Sequence, residues 1–153
     1  MVYACFEGMG KRGFSEENPN SLYIDSDDFK WDGYDTVNYE PKVNKDFPKN
    51  YLAEIKKFQD EGYTILVDTD KESLQALKDE GLVYTILIPN KQLKEEYLKR
   101  YNQSYLAMSY VTNMENQFEI LIEDALQDTG AKKIILINEP NMFLKDIFED
   151  LTL

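Results

Sequence analysis

The sequence predicts an α/β protein with a mainly parallel sheet flanked by helices. Short apolar runs alternate along the chain with segments of helical periodicity, which is typical of βαβ units. The length of 153 residues suits one domain, and 42% apolar with 13% aromatic residues is the composition of a folding chain. No internal repeat or low-complexity linker divides the sequence, so residues 1–153 are interpreted as a single domain.

Five short apolar runs bounded by turn residues are the predicted strands. Gly8, Gly10 and Gly13 mark a turn after the first run, and Pro89-Asn90 stops the fourth. The five runs are Val2–Phe6, Leu22–Ile24, Tyr63–Val67, Val83–Ile88 and Ile134–Ile137.

Apolar residues at helical spacing predict five helices, and Gly62 and Gly81 follow two of them as C-terminal caps. Residues 30–50 are polar with scattered aromatics and are interpreted as a long loop, with one helical turn as an alternative. Residues 103–112 are uncharged, rich in Tyr, Ser and Met, and ambiguous. The predicted helices are Tyr51–Phe58, a segment through Leu74 and Leu77, Lys91–Tyr101, Glu115–Leu126 and Met142–Leu151.

Composition excludes several classes of function. The chain has 29 acidic and 17 basic residues, a net charge of -12, which opposes nonspecific binding to nucleic acids or anionic membranes. The absence of histidine removes the usual neutral-pH acid/base and every Ser-His or Cys-His nucleophile. Cys5 is the one cysteine, so the chain cannot form an intrachain disulfide. We expect Cys5 to be a small, buried hydrophobic residue. No run of about 18 apolar residues spans a membrane, and the N-terminus lacks a signal-peptide core, so a cytoplasmic protein is expected.

The glycine-rich turn, Cys5–Arg12, follows the first predicted strand and carries a lysine. Phosphate-binding loops use glycines to direct backbone N–H groups at phosphates, a lysine for charge, and a following Ser or Thr to hold magnesium. Gly8, Gly10, Lys11 and Arg12 are therefore the candidate nucleotide-binding residues. Cys5 stands at the first glycine of the pattern and Arg12 at its Ser/Thr position, so a turn kept only for its backbone shape is the alternative.

Five further segments, in their order along the chain, match a known family. They read IDSDDFKW from Ile24, FPKNYL from Phe47, VDTDKESLQAL from Val67, YTILIP from Tyr84 and LKEEYLKRY from Leu93. In this respect the chain resembles the nucleotide-kinase-like proteins of bacteriophages that infect Gram-positive hosts. The resemblance covers nearly the whole chain. It implies a three-layer P-loop-kinase-like, adenylate-kinase-like fold, and ATP and magnesium as the cofactors of a kinase.

The chain departs from this family where catalysis needs positive charge. Arg12 replaces the magnesium-holding Ser, Asp70 the family's histidine and Leu74 its arginine, and Asn102-Gln103-Ser104 stands where the lid carries a further arginine. Each lost partner typically costs about 10²–10³ in rate. We therefore predict a degenerate kinase without catalytic residues, cofactor or metal.

Acidic residues follow two of the predicted strands. For Asp25, Asp27 and Asp28 the functional hypothesis is contact with magnesium and a nucleoside at the edge of the sheet, and the alternative is a solvated strand end with a capping Asp. For Asp68 and Asp70 the favoured interpretation is capping of the helix that begins near Lys71.

The charge distribution suggests a macromolecular partner. Residues 111–153 carry a net charge of -6 and residues 1–50 a net charge of -4. Solubility through a charged face is the simpler explanation. The alternative is an acidic surface that meets a basic groove in place of nucleic-acid phosphates. Exposed Tyr and Trp of residues 30–50 and 101–110 would then serve as anchors. The candidate partner-binding residues are Asp25, Asp27, Asp28, Trp31, Tyr34 and Asp35.

Three functional hypotheses follow. The first is a phage-derived, non-catalytic binding protein in the host bacterial cytoplasm, which inhibits a host nuclease of the CRISPR type because such nucleases have basic channels. Its partner is then a protein with a basic surface, without direct contact to nucleic acid or membrane. The second is a working nucleotide or deoxynucleotide kinase, with Lys11 on the phosphates and Asp25 or Asp27 on metal or substrate. The third is a nucleotide sensor without turnover.

Overall fold

The computed structural model describes residues 1–104 and 106–152, with side chains described through residue 150. These residues include seven strands, and each of the five predicted ones is confirmed with ends that differ by at most one residue. Their bounds are β1 Val2–Cys5, β2 Ser21–Tyr23, β3 Trp31–Tyr34, β4 Pro41–Val43, β5 Thr64–Val67, β6 Tyr84–Pro89 and β7 Lys133–Ile137.

The predicted helices are also present, together with two short ones. A 3-10 turn, Lys91–Leu93, precedes the fifth helix. Among the described residues, no helix is both long and apolar enough to cross a membrane. The helices are α1 Lys11–Glu17, α2 Asp27–Lys30, α3 Lys49–Asp60, α4 Lys71–Asp79, α5 Lys94–Gln103, α6 Met108–Leu126 and α7 Leu144–Thr152.

Five parallel strands form the main sheet, in the spatial order β2-β5-β1-β6-β7. Strand β1 lies at its centre, with Val2 paired to Ile65 of β5 on one side and to Tyr84 of β6 on the other. Strands β2 and β5 lie on one side of β1, and the later strands β6 and β7 lie on the other, so the direction in which strands are added reverses after β5. In open parallel sheets, ligand sites lie outside the carboxyl ends of the strands at such a reversal.

The sheet is covered by helices on both faces, in a three-layer α/β fold. Successive side chains of a strand point alternately to its two faces, so Tyr3 and Phe6, three positions apart, point to opposite faces of the sheet. The Tyr3 ring lies 4.8 Å from Phe148 of α7, whereas the Phe6 ring lies 5.4 Å from Phe118 of α6. Burial on both faces explains why the strands are continuous apolar runs rather than alternating ones.

Residues 30–50 are not the long loop that the sequence predicts. They contain the end of α2 and a separate antiparallel hairpin, formed by β3 and β4. Trp31 pairs with Val43 and Tyr34 pairs with Pro41. The sequence does not predict the hairpin because all of its residues are exposed. Neither face of the hairpin packs on the core, so its strands need no alternation of apolar and polar residues.

Two smaller expectations also need correction. Gly13 lies inside α1 and not in the preceding turn, because the helix already starts at Lys11. Tyr101 is buried beneath the turn rather than exposed as an anchor, and Tyr110 is half-buried. Of the ambiguous residues 103–112, the first ends α5 and those from Met108 begin α6; Tyr105 lies outside the described residues.

Asp70 provides a direct test of the helix start that the sequence predicts. Its carboxylate accepts a hydrogen bond from the backbone N–H of Ser73 at 3.0 Å, which confirms it as the N-cap of α4. We expect Asp70→Ala to lower the free energy of unfolding by about 1 kcal/mol, because this N–H loses its acceptor. Asp70→Ser keeps an acceptor and should unfold close to the wild type in urea. Equal losses in the two variants would contradict the cap.

Candidate functional site

A cleft of about 910 Å³ opens at the carboxyl edge of the main sheet, beside β1. Its lining combines polar side chains with aromatic and aliphatic ones. We call it the strand-end cleft. The polar lining residues include Glu7, Lys11, Arg12, Tyr23, Asp25, Asp27, Asp68 and Asp70, and the apolar ones include Phe6, Tyr101, Leu106, Tyr110, Met114, Leu121 and Phe143.

The glycine-rich turn forms the floor of the cleft, and it is tightly packed. Gly8 and Gly10 have positive φ angles of 97° and 85°, which favour glycine. A Cβ at Gly8 would lie 3.0 Å from atoms of both the Tyr97 and Tyr101 rings. The Tyr101 hydroxyl donates to the Glu7 carbonyl at 2.7 Å. The turn thus depends on α5 for its shape.

Arg100, which also belongs to α5, holds the same turn. Its guanidinium donates to the carbonyls of Gly8 at 2.8 Å, Pro140 at 2.8 Å and Met142 at 3.0 Å. It also lies 4.3 Å from the centre of the Tyr97 ring and 3.9 Å from that of Phe143. With a side chain 8% exposed, Arg100 holds backbone in place and does not reach into solvent.

Lys11 is the residue that the phosphate-loop pattern identifies, and its ammonium group is occupied within the protein. Nζ donates to the Cys5 carbonyl at 2.9 Å and lies 3.2 Å from Glu7 Oε1 and 3.1 Å from Asp68 Oδ1. The side chain is only 5% exposed. Burial by itself would lower the pKa of Lys11, but Glu7 and Asp68 outweigh it and raise that pKa. The lysine therefore stays charged and paired.

Asp68 completes this arrangement, which corrects its interpretation as a helix cap. The Tyr23 hydroxyl lies 2.9 Å and 3.0 Å from the two carboxylate oxygens and donates to them. Burial raises the pKa of Asp68 to about 6, although Lys11 acts in the opposite direction. The group Lys11, Glu7, Asp68 and Tyr23, which we call the lysine cluster, joins the carboxyl ends of β1, β2 and β5.

Asp25 and its acidic neighbours separate into two environments. Asp25 lines the cleft, where its carboxylate accepts the backbone N–H of Asp27 at 3.0 Å and lies 3.9 Å from the guanidinium of Arg12. Burial raises the pKa of Asp25, and the hydrogen bond from Asp27 opposes this rise. Asp27, which also lines the cleft, and Asp28 are exposed on the first turn of α2. Trp31, Tyr34 and Asp35 lie on the hairpin and do not line the cleft.

Most of the cations that line the cleft are already bound within the protein. Lys30 lies 2.6 Å from Glu72 and 4.9 Å from the centre of the Trp31 ring. Lys11 and Arg100 are held as described above, so Arg12, with a side chain 70% exposed, is the accessible cation of the described lining. In the part of the chain that the structure describes, no group of three or more acidic or Cys residues is arranged to hold a metal ion.

Cys5 is buried, as expected, and burial raises the pKa of its thiol to about 12. A thiol with so high a pKa is protonated at neutral pH and is a poor nucleophile. The cysteine therefore serves as a small core side chain.

Comparison with known proteins assigns no family. No model of a protein family matches the chain, and no curated protein matches it significantly. The kinase-like resemblance of its motifs stays a prediction, and the candidate site is interpreted from its own geometry.

The packing of the glycine-rich turn predicts opposite effects for two glycine substitutions. We expect Gly8→Ala to destabilise the protein by about 1–3 kcal/mol, because the new methyl group meets two rings at a positive φ. Gly13→Ala is the matched control: it lies in α1 with nothing within 4 Å, and should stabilise by about 0.5–1 kcal/mol. Chemical denaturation measures both. A neutral Gly8→Ala would contradict the packed turn.

The lysine cluster predicts a pH dependence of stability. The folded-state pKa of Asp68, about 6, lies above its ordinary value of 3.8, so its contribution is largest below pH 3.8 and is lost as the pH rises through about 6. Relative to Asp68→Asn, the wild type should lose unfolding free energy as the pH rises from about 4 to 7. Urea unfolding of both proteins across this range gives the difference. A constant difference would contradict the raised pKa.

Proposed function

We propose that the protein is a non-catalytic binding protein, in which an α/β frame with a phosphate-loop-like turn carries an acidic surface for a basic partner protein. The observation that carries this proposal is that the Lys11 ammonium group is nearly buried and already bound within the protein. The side chain that would have to contact phosphate is 5% exposed and bound by two carboxylates and a carbonyl.

Phosphoryl transfer requires cations that are free to meet the transferring group. Lys11 could reach a phosphate only by leaving Asp68 buried and unpaired, and breaking a buried ion pair costs about 3–5 kcal/mol. Arg100 would have to give up three backbone carbonyls that shape the turn. Arg12 alone lacks the geometry of a metal ion and supplies one charge. These constraints favour binding without turnover.

The exterior supports a basic partner. Lys11 and Arg100 are nearly buried, and Lys30 is paired with Glu72, so part of the positive charge does not face solvent. The exposed carboxylates of Asp27 and Asp28 lie near the cleft, where Arg12 is the accessible cation. Such a surface accelerates association with a basic protein and repels nucleic acids. Within this proposal, a host nuclease of the CRISPR type remains our narrower hypothesis for the partner.

Nucleotide binding, with or without turnover, is the second candidate function. The strand-end cleft favours it, because a volume of about 910 Å³ at the carboxyl edge of a parallel sheet is the usual place and size for such a ligand. If the protein binds nucleotides, the phosphates of the nucleotide should add binding energy, whereas the proposed binding protein should gain none from them.

Thermal unfolding in the presence of ligands separates them. We expect ATP with magnesium, ATP alone and adenosine, each at millimolar concentration, to leave the melting temperature unchanged to within about 1 °C, because Lys11 is not free to bind phosphate. Adenosine is the control for binding of the base alone. Stabilisation by ATP with magnesium that adenosine does not reproduce would overturn the proposed function.

A further inference from the structure

We propose that the hairpin, residues 31–43, is the docking element of this protein, and that it binds a partner protein whose contact surface has an apolar centre surrounded by Lys and Arg. The inference rests on the proposed function and names the surface that would perform it.

The pairing register places four apolar side chains on one face of the hairpin. Pro41 and Val43 are two residues apart on β4 and therefore point to the same side. Trp31 pairs with Val43 and Tyr34 pairs with Pro41, so these rings lie on that side as well. The shift in register between Trp31 and Tyr34 marks a bulge, and Gly33 within it has a φ of 76°.

These side chains are open to solvent. Tyr34 is 71% exposed, Val43 52% and Trp31 39%, and at the tip Val37 and Tyr39 are 87% and 81% exposed. A soluble domain seldom exposes so many large apolar side chains in one short segment without a binding role. Aromatic residues are also those that most often dominate the energy of protein interfaces.

The conformation of the hairpin is held in advance by local hydrogen bonds. At the tip, Asp35 N–H donates to the Glu40 carbonyl at 2.8 Å and Val37 N–H donates to the Asp35 carboxylate at 2.7 Å. At the base, Asn44 N–H donates to the Lys30 carbonyl at 2.7 Å. A surface ordered before binding loses less conformational entropy when it binds.

Charge identifies the partner. The hairpin carries three exposed acids, Asp32, Asp35 and Glu40, against one exposed base, Lys42, and two further exposed acids precede it on α2. Opposite charges favour a partner rich in Lys and Arg around its apolar centre. A second copy of this chain is disfavoured, because each copy carries a net charge of -12.

A displayed library of random peptides tests this inference with defined probes. The protein is used for selection, and the enriched peptides are then synthesised and titrated against three forms. These are the wild type, the hairpin variant Trp31→Ala/Tyr34→Ala, and a control variant, Val83→Ala/Ile120→Ala, which truncates two apolar side chains that are 55% and 48% exposed outside the hairpin. We expect enriched peptides to combine Lys or Arg with aromatic or aliphatic residues.

The hairpin variant should bind these peptides about tenfold or more weakly, whereas the control variant should bind them within about twofold of the wild type. Raising the salt concentration from about 50 to 500 mM should weaken binding to the wild type, and weaken it less for Asp32→Asn/Glu40→Gln. Circular dichroism confirms that each variant is folded.

Three outcomes would overturn the inference: no enriched peptides, enriched peptides without basic residues, or equal binding by the hairpin variant. Sedimentation velocity should give a monomer, and a dimer that the hairpin variant abolishes would assign the face to a second copy instead. Basic peptides that bind salt-dependently but ignore the hairpin variant would leave the proposed function standing. Phosphate-dependent stabilisation by ATP would instead reject the proposed function itself.

Discussion

The structure depends most on one buried charge, the ammonium group of Lys11. It lies at the carboxyl end of the central strand and contacts the Cys5 carbonyl, Glu7 and Asp68, while Tyr23 holds Asp68 from β2. A buried ammonium without partners would strongly destabilise the fold, so the ends of three strands must come together around it. The junction of these strand ends and the engagement of the Lys11 ammonium within the protein both follow from this contact, whereas the glycine-rich turn takes its shape from α5.

The same contact connects the interior with the charge of the surface. The net charge of -12 is a property of the whole chain, but the basic residues are not evenly available to solvent. Lys11 pairs with Glu7 and Asp68, and Arg100 donates to backbone carbonyls, so neither cation is presented to a molecule outside the protein. In the proposed function, the exposed Asp27 and Asp28 near the cleft are among the acids that a basic partner would meet.

Sequence patterns predicted the parts of the fold that local chemistry determines. Apolar runs located every strand of the main sheet because its three central strands are largely buried and its edge strands β2 and β7 are partly buried, and Asp70 could be identified as a cap because its partner, Ser73, is three residues away. The contact between Lys11 and Asp68 could not be predicted in this way, since the two residues are 57 positions apart and an aspartate beside a helix start already has a simpler explanation. The bonds from Arg100 go to backbone carbonyls, which leave no signal in a sequence. The hairpin was missed because its exposed face obeys no core pattern.

The central position of β1 has a consequence for the order in which the molecule can be assembled. Val2 pairs with Tyr84, and the Gly8 carbonyl accepts a hydrogen bond from Arg100. The first strand and its turn therefore cannot complete their contacts until residues about 80 to 90 positions later have left the ribosome. Contacts of such sequence separation slow folding, because a long loop must be ordered before they form. During synthesis the segment with the buried lysine therefore stays incomplete until α5 has emerged. An arrested nascent chain that ends before α5 would present the glycine-rich turn without Tyr97, Arg100 and Tyr101, although it already contains Glu7 and Asp68, the partners of Lys11.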